Sequence, residues 1–95
     1  MDKDYTIETK LRMDIQAQFE EAIVASKSLK QKPDNDTLLR IYSLYKQATI
    51  GDAPTKGEYN MFDFVAKAKH EAWSGLRHTS KEQAMLQYIT LIGSL

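Results

Sequence analysis

The sequence predicts an all-α fold of four helices. Apolar residues recur every three to four positions in four separate segments, and no segment alternates apolar and polar residues with the period of two that is typical of strands. The prolines and most of the glycines fall between these segments, where they are expected to end or connect helices. Because 95 residues correspond to one domain at most, we expect a single bundle with a thin core.

The first helix is predicted to run from Leu11 to the residue before Pro33. Three lysines precede this proline, and cations are favourable near a helix C-terminus, while proline cannot continue a helix. Residues 1–10 are polar and weakly periodic, which predicts a frayed extension or an early helical turn. The apolar positions with helical spacing are Leu11, Ile15, Phe19, Ala22 and Ile23.

The second helix is predicted between Pro33 and Gly51. Asp34, Asn35 and Asp36 offer capping side chains at its start, and Gly51 is a natural stop. The stretch from Gly51 to residue 60 contains a proline and a glycine among polar residues and predicts a loop, and loops of this length in small domains are often functional. One helical stripe holds Leu38, Ile41, Tyr45 and Ala48, and the neighbouring stripe holds Leu39, Tyr42 and Lys46.

Two further helices are predicted in the last third of the chain. The third begins near Met61 or Phe62, and Gly75 weakens its end. Thr79 and Glu82 have the spacing of a capping box at the start of the fourth helix. The third stripe is Val65, Ala68, Ala72 and Leu76 with Trp73 beside it, and the fourth is Met85, Tyr88, Ile89, Ile92 and Leu95.

Composition narrows the classes of function. Thirteen basic residues balance thirteen acidic ones, which argues against general affinity for nucleic acid. The absence of cysteine excludes disulfides and thiol chemistry, and no stretch has the length and apolarity of a membrane span. Because the N-terminus also lacks a signal region, a cytoplasmic location is expected. No phosphate loop and no metal-ligand spacing is present, so neither a metal nor a cofactor is predicted.

The sequence offers little support for catalysis. Ser74 has His70 four positions before it and His78 four positions after it, a spacing that places such pairs on one helix face. Pairs of this kind often arise by chance, and no third group is evident that would orient the base. We therefore predict that the protein is not an enzyme.

Tyrosines and lysines cluster in the second and third helices. Tyr42, Tyr45 and Lys46 project into one region, because positions three and four apart are neighbours on a helix surface. Lys67 and Lys69 come from the third helix. Such rings and ammonium groups suit a purine and a phosphate. Half-buried tyrosines and solvated lysines explain the same spacing, however, and from spacing alone they are the preferred interpretation.

Ordered motifs in the chain match those of one family. YSLYKQATIGD at residues 42–52 matches the family's YxxYKQATxGD, and KAKHEAW at residues 67–73 resembles its KAKWxAW. The chain therefore resembles the acyl-CoA-binding protein family, over about residues 15–95. The remaining matches are Phe19, LKQKP at residues 29–33, NMFDF at residues 60–64, which resembles GMxDF, and TSKEQAMLQYI at residues 79–89, which resembles TSKExAMxxYI.

The resemblance implies a fold, a ligand and a set of site residues. It implies an up-down-down-up four-helix bundle that binds fatty acyl-CoA in a surface bowl, with residues 1–13 as an N-terminal extension and 14–95 as the binding domain. The residues that match the family's 3′-phosphate site are Tyr42, Lys46 and Lys69. The other positions that match ligand-contacting residues are Tyr45 at the adenine, Tyr88 on the last helix, Lys27 near the end of the first helix, Lys32 at the rim, and Leu38 and Leu39 at the acyl chain.

Two substitutions depart from the family pattern. His70 stands where the family has a tryptophan, and Val65 stands where many members have a lysine that contacts the ligand. The expected function is a monomeric intracellular carrier of medium- to long-chain acyl-CoA that meets acyl-CoA-using enzymes or membranes only transiently. One alternative is a substrate-recruiting domain of a larger protein such as an enoyl-CoA isomerase. Another alternative is a helical interaction module that has lost the ligand. Only the two departures from the family pattern support it.

Overall fold

The computed structural model describes the backbone of residues 3–95 and the side chains from residue 14 onward. Four α-helices, and no strand within residues 3–95, confirm the predicted all-α class. Helix α4 packs against both α1 and α2, and α3 packs against α2. The helices are α1 (Lys3–Ser26), α2 (Asn35–Thr49), α3 (Phe64–Ser74) and α4 (Lys81–Gly93).

Helix α1 ends earlier than predicted. It ends at Ser26, seven residues before Pro33, so the prediction that this proline closes the helix was wrong. The Ser26 hydroxyl donates to the carbonyl of Ile23 at 2.6 Å, and the next backbone bonds follow three-residue spacing. Position 27, which would continue the apolar stripe of Phe19 and Ile23, is a lysine, so packing does not extend the helix there. The three lysines therefore lie in the connection to α2.

Helix α2 has the predicted ends. The Asp34 side chain accepts a hydrogen bond from the backbone N–H of Thr37 at 2.8 Å and so caps the N-terminus. At the other end Gly51 has φ of 103°, a left-handed conformation that glycine adopts without steric penalty. Its N–H donates to the carbonyl of Lys46 at 3.3 Å. The chain thereby turns sharply out of α2 into the loop before α3.

Helices α3 and α4 begin one to three residues later than the sequence suggested. Helix α3 is capped by Asp63, whose carboxylate accepts from the Ala66 N–H at 3.0 Å, and α4 is capped by Ser80 rather than Thr79. The predicted start at Met61 or Phe62 was wrong because Asn60 holds those residues in a turn, accepting from the Phe62 N–H through its side chain at 3.1 Å. Thr79 belongs to the preceding turn, since its N–H donates to Leu76 at 2.9 Å.

The core lies where α1, α2 and α4 meet. It buries one side of each of these helices, and two polar side chains, Ser43 and Gln47, are also buried. Of the stripe predicted for α3, Val65 was wrong, because it is 65% exposed, whereas Ala68, Ala72 and Leu76 are half-buried. Trp73, predicted beside the stripe, is the buried residue of that helix. Leu95 lies beyond the end of α4 and is exposed. The buried cluster is Phe19, Ala22, Leu44, Ala48, Ala84, Tyr88 and Ile92.

A polar network joins the end of α2 to the connection between α3 and α4. The buried amide of Gln47 donates to Asp52 Oδ1 at 2.9 Å and to the carbonyl of Thr79 at 2.8 Å. Asp52 Oδ1 also accepts from the backbone N–H of His78 at 2.9 Å. These bonds stabilise the carboxylate, so they lower the pKa of Asp52 below its usual range, the Gln47 bond contributing most.

The indole of Trp73 holds the beginning of the loop. Its Nε1–H donates to the carbonyl of Gly51 at 2.8 Å, and its ring is 8% exposed. Arg77 donates to the carbonyl of Ala53 at 2.9 Å. Trp73 lies in the last turn of α3 and Arg77 follows this helix, so the two bonds tie the first residues of the loop to the end of α3.

Candidate functional site

The predicted phosphate-binding residues lie together in one cleft. Tyr42 and Lys46 reach it from α2, and Lys69 reaches it from α3. Lys46 Nζ lies 5.8 Å from the centre of the Tyr42 ring and 5.1 Å from that of Trp73, and Lys69 Nζ lies 5.2 Å from that of Tyr42. Residues 54 and 56–59 of the loop close the third side of this cleft, which has a volume of about 380 Å³. We name it the nucleotide cleft after its predicted ligand.

Three lysines line the cleft, Lys46 and Lys69 on the helices and Lys56 on the loop. Among residues 14–95, no carboxylate lies within salt-bridge distance of Lys46 or Lys69. Both ammonium groups instead lie over aromatic faces, a cation–π arrangement that keeps them close together without neutralising them. Such a pair suits an anionic ligand, because charge-assisted hydrogen bonds to phosphate are among the strong ones.

An apolar groove adjoins the nucleotide cleft. Leu38 and Leu39 form its α2 side, and Phe64, Val65 and Ala68 form most of its α3 side. The groove has a volume of about 360 Å³ and shares Lys69 with the cleft. A charged compartment and an apolar one therefore meet at a single lysine, which is the arrangement that a ligand with a phosphorylated head and a hydrocarbon tail needs.

Comparison with known proteins identifies the family. The model of the family described as "Acyl CoA binding protein" matches residues 16–92. The chain belongs to the acyl-CoA-binding protein family. Among solved structures, it is similar to acyl-CoA-binding protein 2 from Oryza sativa, with a TM-score of 0.77 and 38% identity over 85% of this chain and 89% of that one. A second similar structure, from Moniliophthora perniciosa, has a TM-score of 0.72 and 36% identity over 80% and 74% of the two chains.

Relatives in sequence fall into two groups. The Dictyostelium discoideum acyl-CoA-binding protein is 44% identical over 81% of this chain and 90% of its own length. Acyl-CoA-binding protein homolog 1 of Caenorhabditis elegans is 40% identical over 81% of this chain and 88% of its own length. Enoyl-CoA delta isomerase 2 of Rattus norvegicus is 46% identical over 84% of this chain, but the chain spans only 20% of that much longer protein.

Two further predicted contact residues belong to an aromatic cluster. Tyr45 and Tyr88 lie 6.4 Å apart between ring centres, and Phe19 packs against both, at 6.3 Å and 5.1 Å. Tyr45 is 40% exposed, whereas Tyr88 is 2% exposed. The cluster is part of the core side of this acyl-CoA-binding domain, and the ligand roles of the two tyrosines stay predictions.

The two lysines predicted from the first segment lie in the connection between α1 and α2. Lys32 lines a cavity of about 820 Å³ that this connection forms with Ile92 and Leu95, and Lys27 is exposed. Neither lysine lines the nucleotide cleft or the apolar groove. The structure therefore brings together Tyr42, Lys46 and Lys69 but not these two, whose contact with the ligand stays a prediction.

The nucleotide cleft also contains residues that the motifs did not indicate. Lys56 and Tyr59 come from the loop, and His70 comes from α3. No periodic pattern marks loop residues, so spacing could not have found the first two. His70 was visible only as a departure from the family pattern, which gave no indication of the side on which it lies.

The structure brings together one of the two serine–histidine pairs that the sequence spacing suggested. Ser74 Oγ lies 3.4 Å from His70 Nε2, but His78 lies beyond the end of α3 with φ of 75°, so the expected helix-face pair of Ser74 with His78 was wrong. His78 Nδ1 instead lies 3.9 Å from Asp52 Oδ2. Within the described part of the chain, no three His, Asp or Glu residues are grouped as metal ligands would be.

Proposed function

We propose that this protein binds medium- to long-chain fatty acyl-CoA and acts as an intracellular carrier that keeps a pool of these thioesters available. The observation that carries the proposal is the junction of the nucleotide cleft and the apolar groove at Lys69. Membership of the acyl-CoA-binding protein family supports the same ligand.

The nucleotide cleft would receive the phosphorylated end of the ligand. Lys46 and Lys69 would pair with the 3′-phosphate, and the Tyr42 hydroxyl would donate to it. Because neither lysine has a competing carboxylate among residues 14–95, the positive charge is available to the ligand. Tyr45, Tyr88, Lys27 and Lys32 are proposed as further contacts on the strength of the motif matches.

The apolar groove would receive the acyl tail. Leu38 and Leu39 face Phe64, Val65 and Ala68 across it. Phe64 and Val65 are 72% and 65% exposed, so a tail laid against them would remove apolar surface of both partners from water. Each buried methylene contributes about 0.8 kcal/mol, which makes the tail a major source of affinity.

We further propose that the protein performs no chemistry on the thioester and holds no metal or cofactor. It would work as a monomer, because the bowl of a carrier has to stay open to its ligand. Residues 1–13 would be an extension outside the binding domain of residues 14–95. None of the helices in residues 3–95 combines the length and the apolarity needed to cross a membrane. A cytoplasmic location and transient delivery to acyl-CoA-using enzymes or membranes complete the proposal.

The carrier function is preferred to a recruiting domain of an isomerase. Dictyostelium and Caenorhabditis homologues are matched over 90% and 88% of their length, whereas the rat isomerase is matched over 20% of its length. The isomerase shows that a similar segment occurs within a longer enzyme, which is compatible with both functions and favours neither.

Titration calorimetry tests the proposal. Palmitoyl-CoA is expected to bind the protein tightly with one-to-one stoichiometry, whereas free CoA and free palmitate, which each fill one compartment, bind far more weakly. The Lys46→Ala variant should bind palmitoyl-CoA more weakly than the wild type. If palmitoyl-CoA gives no heat, and acyl-CoA of no other chain length binds in a competition experiment, the carrier function is wrong. The protein would then be a helical interaction module.

A further inference from the structure

Exposed hydrophobic side chains are concentrated at the start of α3. Met61 and Phe62 lie in the turn before this helix, and Phe64 and Val65 are its first two residues. Their exposed fractions are 76%, 75%, 72% and 65% in that order. Four of the nine exposed large hydrophobic residues among positions 14–95 thus lie within five consecutive positions. We name these four residues the α3 patch; contiguous exposed patches, unlike single apolar residues, mark interaction sites.

Local hydrogen bonds hold the backbone of the α3 patch. The Asn60 side chain accepts from the Phe62 N–H at 3.1 Å, and the Asn60 carbonyl accepts from the Asp63 N–H at 2.9 Å. The Asp63 carboxylate caps the helix that follows. Because these bonds form within the chain, a partner that covers the patch has to supply apolar contact only.

The α3 patch is continuous with the apolar groove. Phe64 and Val65 belong to both, whereas Met61 and Phe62 line neither the groove nor the nucleotide cleft. The apolar surface at the groove therefore extends beyond it, onto residues that the ligand site does not explain. A hydrocarbon phase placed against the patch would adjoin the groove directly.

The size of the α3 patch decides between two kinds of occupant. Its four residues expose on the order of 500 Å², since a large aromatic side chain has about 150–250 Å² of surface. A stable protein–protein interface needs about 800 Å² from each partner. The patch alone is therefore too small to hold a second copy of the chain. Insertion into the surface of a bilayer needs no complementary partner surface and depends on the apolar area that is buried.

The charges near the α3 patch are mixed in sign. Lys56 and Glu58 precede it in the loop, Asp63 lies within it, and Lys67 and Lys69 follow it on α3. Because acidic and basic groups alternate along this segment, it has no block of positive charge that would require an anionic lipid. Docking on a bilayer would therefore depend mainly on apolar area.

We propose that the α3 patch docks this protein onto the surface of a phospholipid bilayer and places the open side of the apolar groove against its hydrocarbon region. The inference rests on the proposed function and deepens it by naming the surface that meets the membrane. An acyl tail then passes between the bilayer and the groove along Phe64 and Val65, without exposing its methylenes to water.

Vesicle flotation tests the docking step in the absence of ligand. The full chain is mixed with vesicles of phosphatidylcholine, or of phosphatidylcholine and phosphatidylserine, and the floated fraction gives the partition coefficient. The wild type should float with both. A double variant, Met61→Ser with Phe62→Ser, should partition about ten-fold more weakly or less, because two large apolar side chains no longer enter the bilayer.

Val24→Ser is the matched control. Val24 is 66% exposed, similar to the replaced residues, but it lies on α1, which packs against α4. This variant should float like the wild type. Without vesicles, both variants should bind palmitoyl-CoA with wild-type affinity in calorimetry, because none of the three replaced residues lines the cleft or the groove.

Transfer kinetics test the route of the tail. If the tail moves during contact with the bilayer, the rate at which loaded wild-type protein gives palmitoyl-CoA to vesicles should rise with vesicle concentration. In the double variant this rate should not depend on vesicle concentration, because the ligand has to dissociate into water first. A wild-type rate that is independent of vesicle concentration would overturn the route.

The remaining outcomes separate docking from the proposed function. Docking is overturned if the wild type floats with neither kind of vesicle, or if the double variant floats as well as the wild type. It is also overturned if size-exclusion chromatography shows a wild-type dimer that the double variant converts to a monomer, since a second copy would then cover the patch. A wild type that floats but does not bind palmitoyl-CoA in solution would instead overturn the proposed function, while docking would stand.

Discussion

Lys69 links the two compartments of the site, because it lines both the nucleotide cleft and the apolar groove. Replacing Lys69 with alanine removes one of the three lysines that line the cleft. We expect palmitoyl-CoA binding to weaken about ten-fold or more, as is usual for loss of a charge-assisted hydrogen bond. Titration calorimetry measures the effect. Because Lys69 is expected to contact the head group of the ligand, the variant should also bind free CoA more weakly.

Lys67→Ala is the matched control for this variant. Lys67 lies on the same helix two residues away, is exposed, and lines neither compartment. Both variants change the net charge equally, so any difference between them reports contact rather than general electrostatic attraction. Equal weakening by the two variants would show that Lys69 does not touch the ligand.

The lowered pKa of Asp52 predicts how the stability of the protein depends on pH. Hydrogen bonds from Gln47 and the His78 N–H, with smaller help from nearby positive charge, lower the pKa of Asp52 in the folded state. Since the unfolded carboxyl titrates near its ordinary value of about 3.9, this stabilisation is complete above that pH and is lost as the pH falls through the lower folded value. Asp52→Asn should therefore be less stable than wild type at neutral pH, and the gap should narrow below about pH 4.

Urea unfolding at several pH values between neutral and acid measures this gap. Asparagine keeps a carbonyl oxygen that can still accept a hydrogen bond, so the variant tests the charge rather than the shape of the side chain. A gap of constant size over the whole range would contradict the role assigned to the carboxylate.

At the scale of residues, the motifs predicted three side chains that line one cleft, but missed a hydrogen bond between residues far apart in sequence. Tyr42, Lys46 and Lys69 meet as the resemblance implied. The bonds from Gln47 to Asp52 and to Thr79 could not be predicted, because the second joins residues 32 positions apart. Periodicity describes one helix at a time and does not say which loop atoms will meet a buried amide.

At the scale of elements, helix α3 depends on its cap. Asp63 accepts a hydrogen bond from the Ala66 N–H, and its charge complements the positive N-terminal end of the helix dipole. We expect Asp63→Ala to reduce the free energy of unfolding by about 1 kcal/mol. Because α3 carries Lys69 and one side of the groove, palmitoyl-CoA binding should weaken slightly too.

Asp63→Asn is the control for the capping role. Asparagine caps helices about as well as aspartate, so this variant should stay within a few tenths of a kcal/mol of the wild type. The wild type and the two Asp63 variants are compared by their denaturant midpoints, provided that the unfolding free energy depends on denaturant concentration with the same slope in all three. A loss in Asp63→Asn as large as that in Asp63→Ala would show that the charge, and not the cap, is what matters.

Helix existence was predictable, but helix boundaries were less so. All four segments with a period of 3.6 residues are helices. Pro33 was a poor guide to the end of α1, since the helix stops where its apolar stripe meets Lys27. Asn60 displaced the start of α3 because a polar side chain can hold a turn that competes with the first helical turn. Local hydrogen bonds of this kind shift ends without changing the fold.

At the scale of the whole molecule, the helices that form the core differ from the helix that forms one side of both the cleft and the groove. The core is built mainly from α1, α2 and α4, while α3 contributes no residue to that cluster. Helix α3 is instead held by Trp73 and the loop, and it leaves Phe64 and Val65 exposed beside the groove. The bundle can therefore offer an open apolar surface without opening its own core.

Acyl-chain length tests whether this open surface is the tail site. If the groove between α2 and α3 covers the tail, affinity should rise about four-fold per added methylene from C8-CoA upward, since each methylene contributes about 0.8 kcal/mol. The rise should stop where the tail leaves the groove. Calorimetry over a series from C8 to C20, at two temperatures, should also give an increasingly negative heat-capacity change up to the same length.

A variant in the groove gives the series its control. Leu39→Ala removes apolar surface from the α2 side and leaves the nucleotide cleft intact, so it should weaken long-chain ligands while free CoA binds as before. An affinity that does not depend on chain length would place the tail in water, and the protein would then be a receptor for the nucleotide end alone. If Leu39→Ala leaves the dependence of affinity on chain length unchanged, the tail binds to another surface of the bundle.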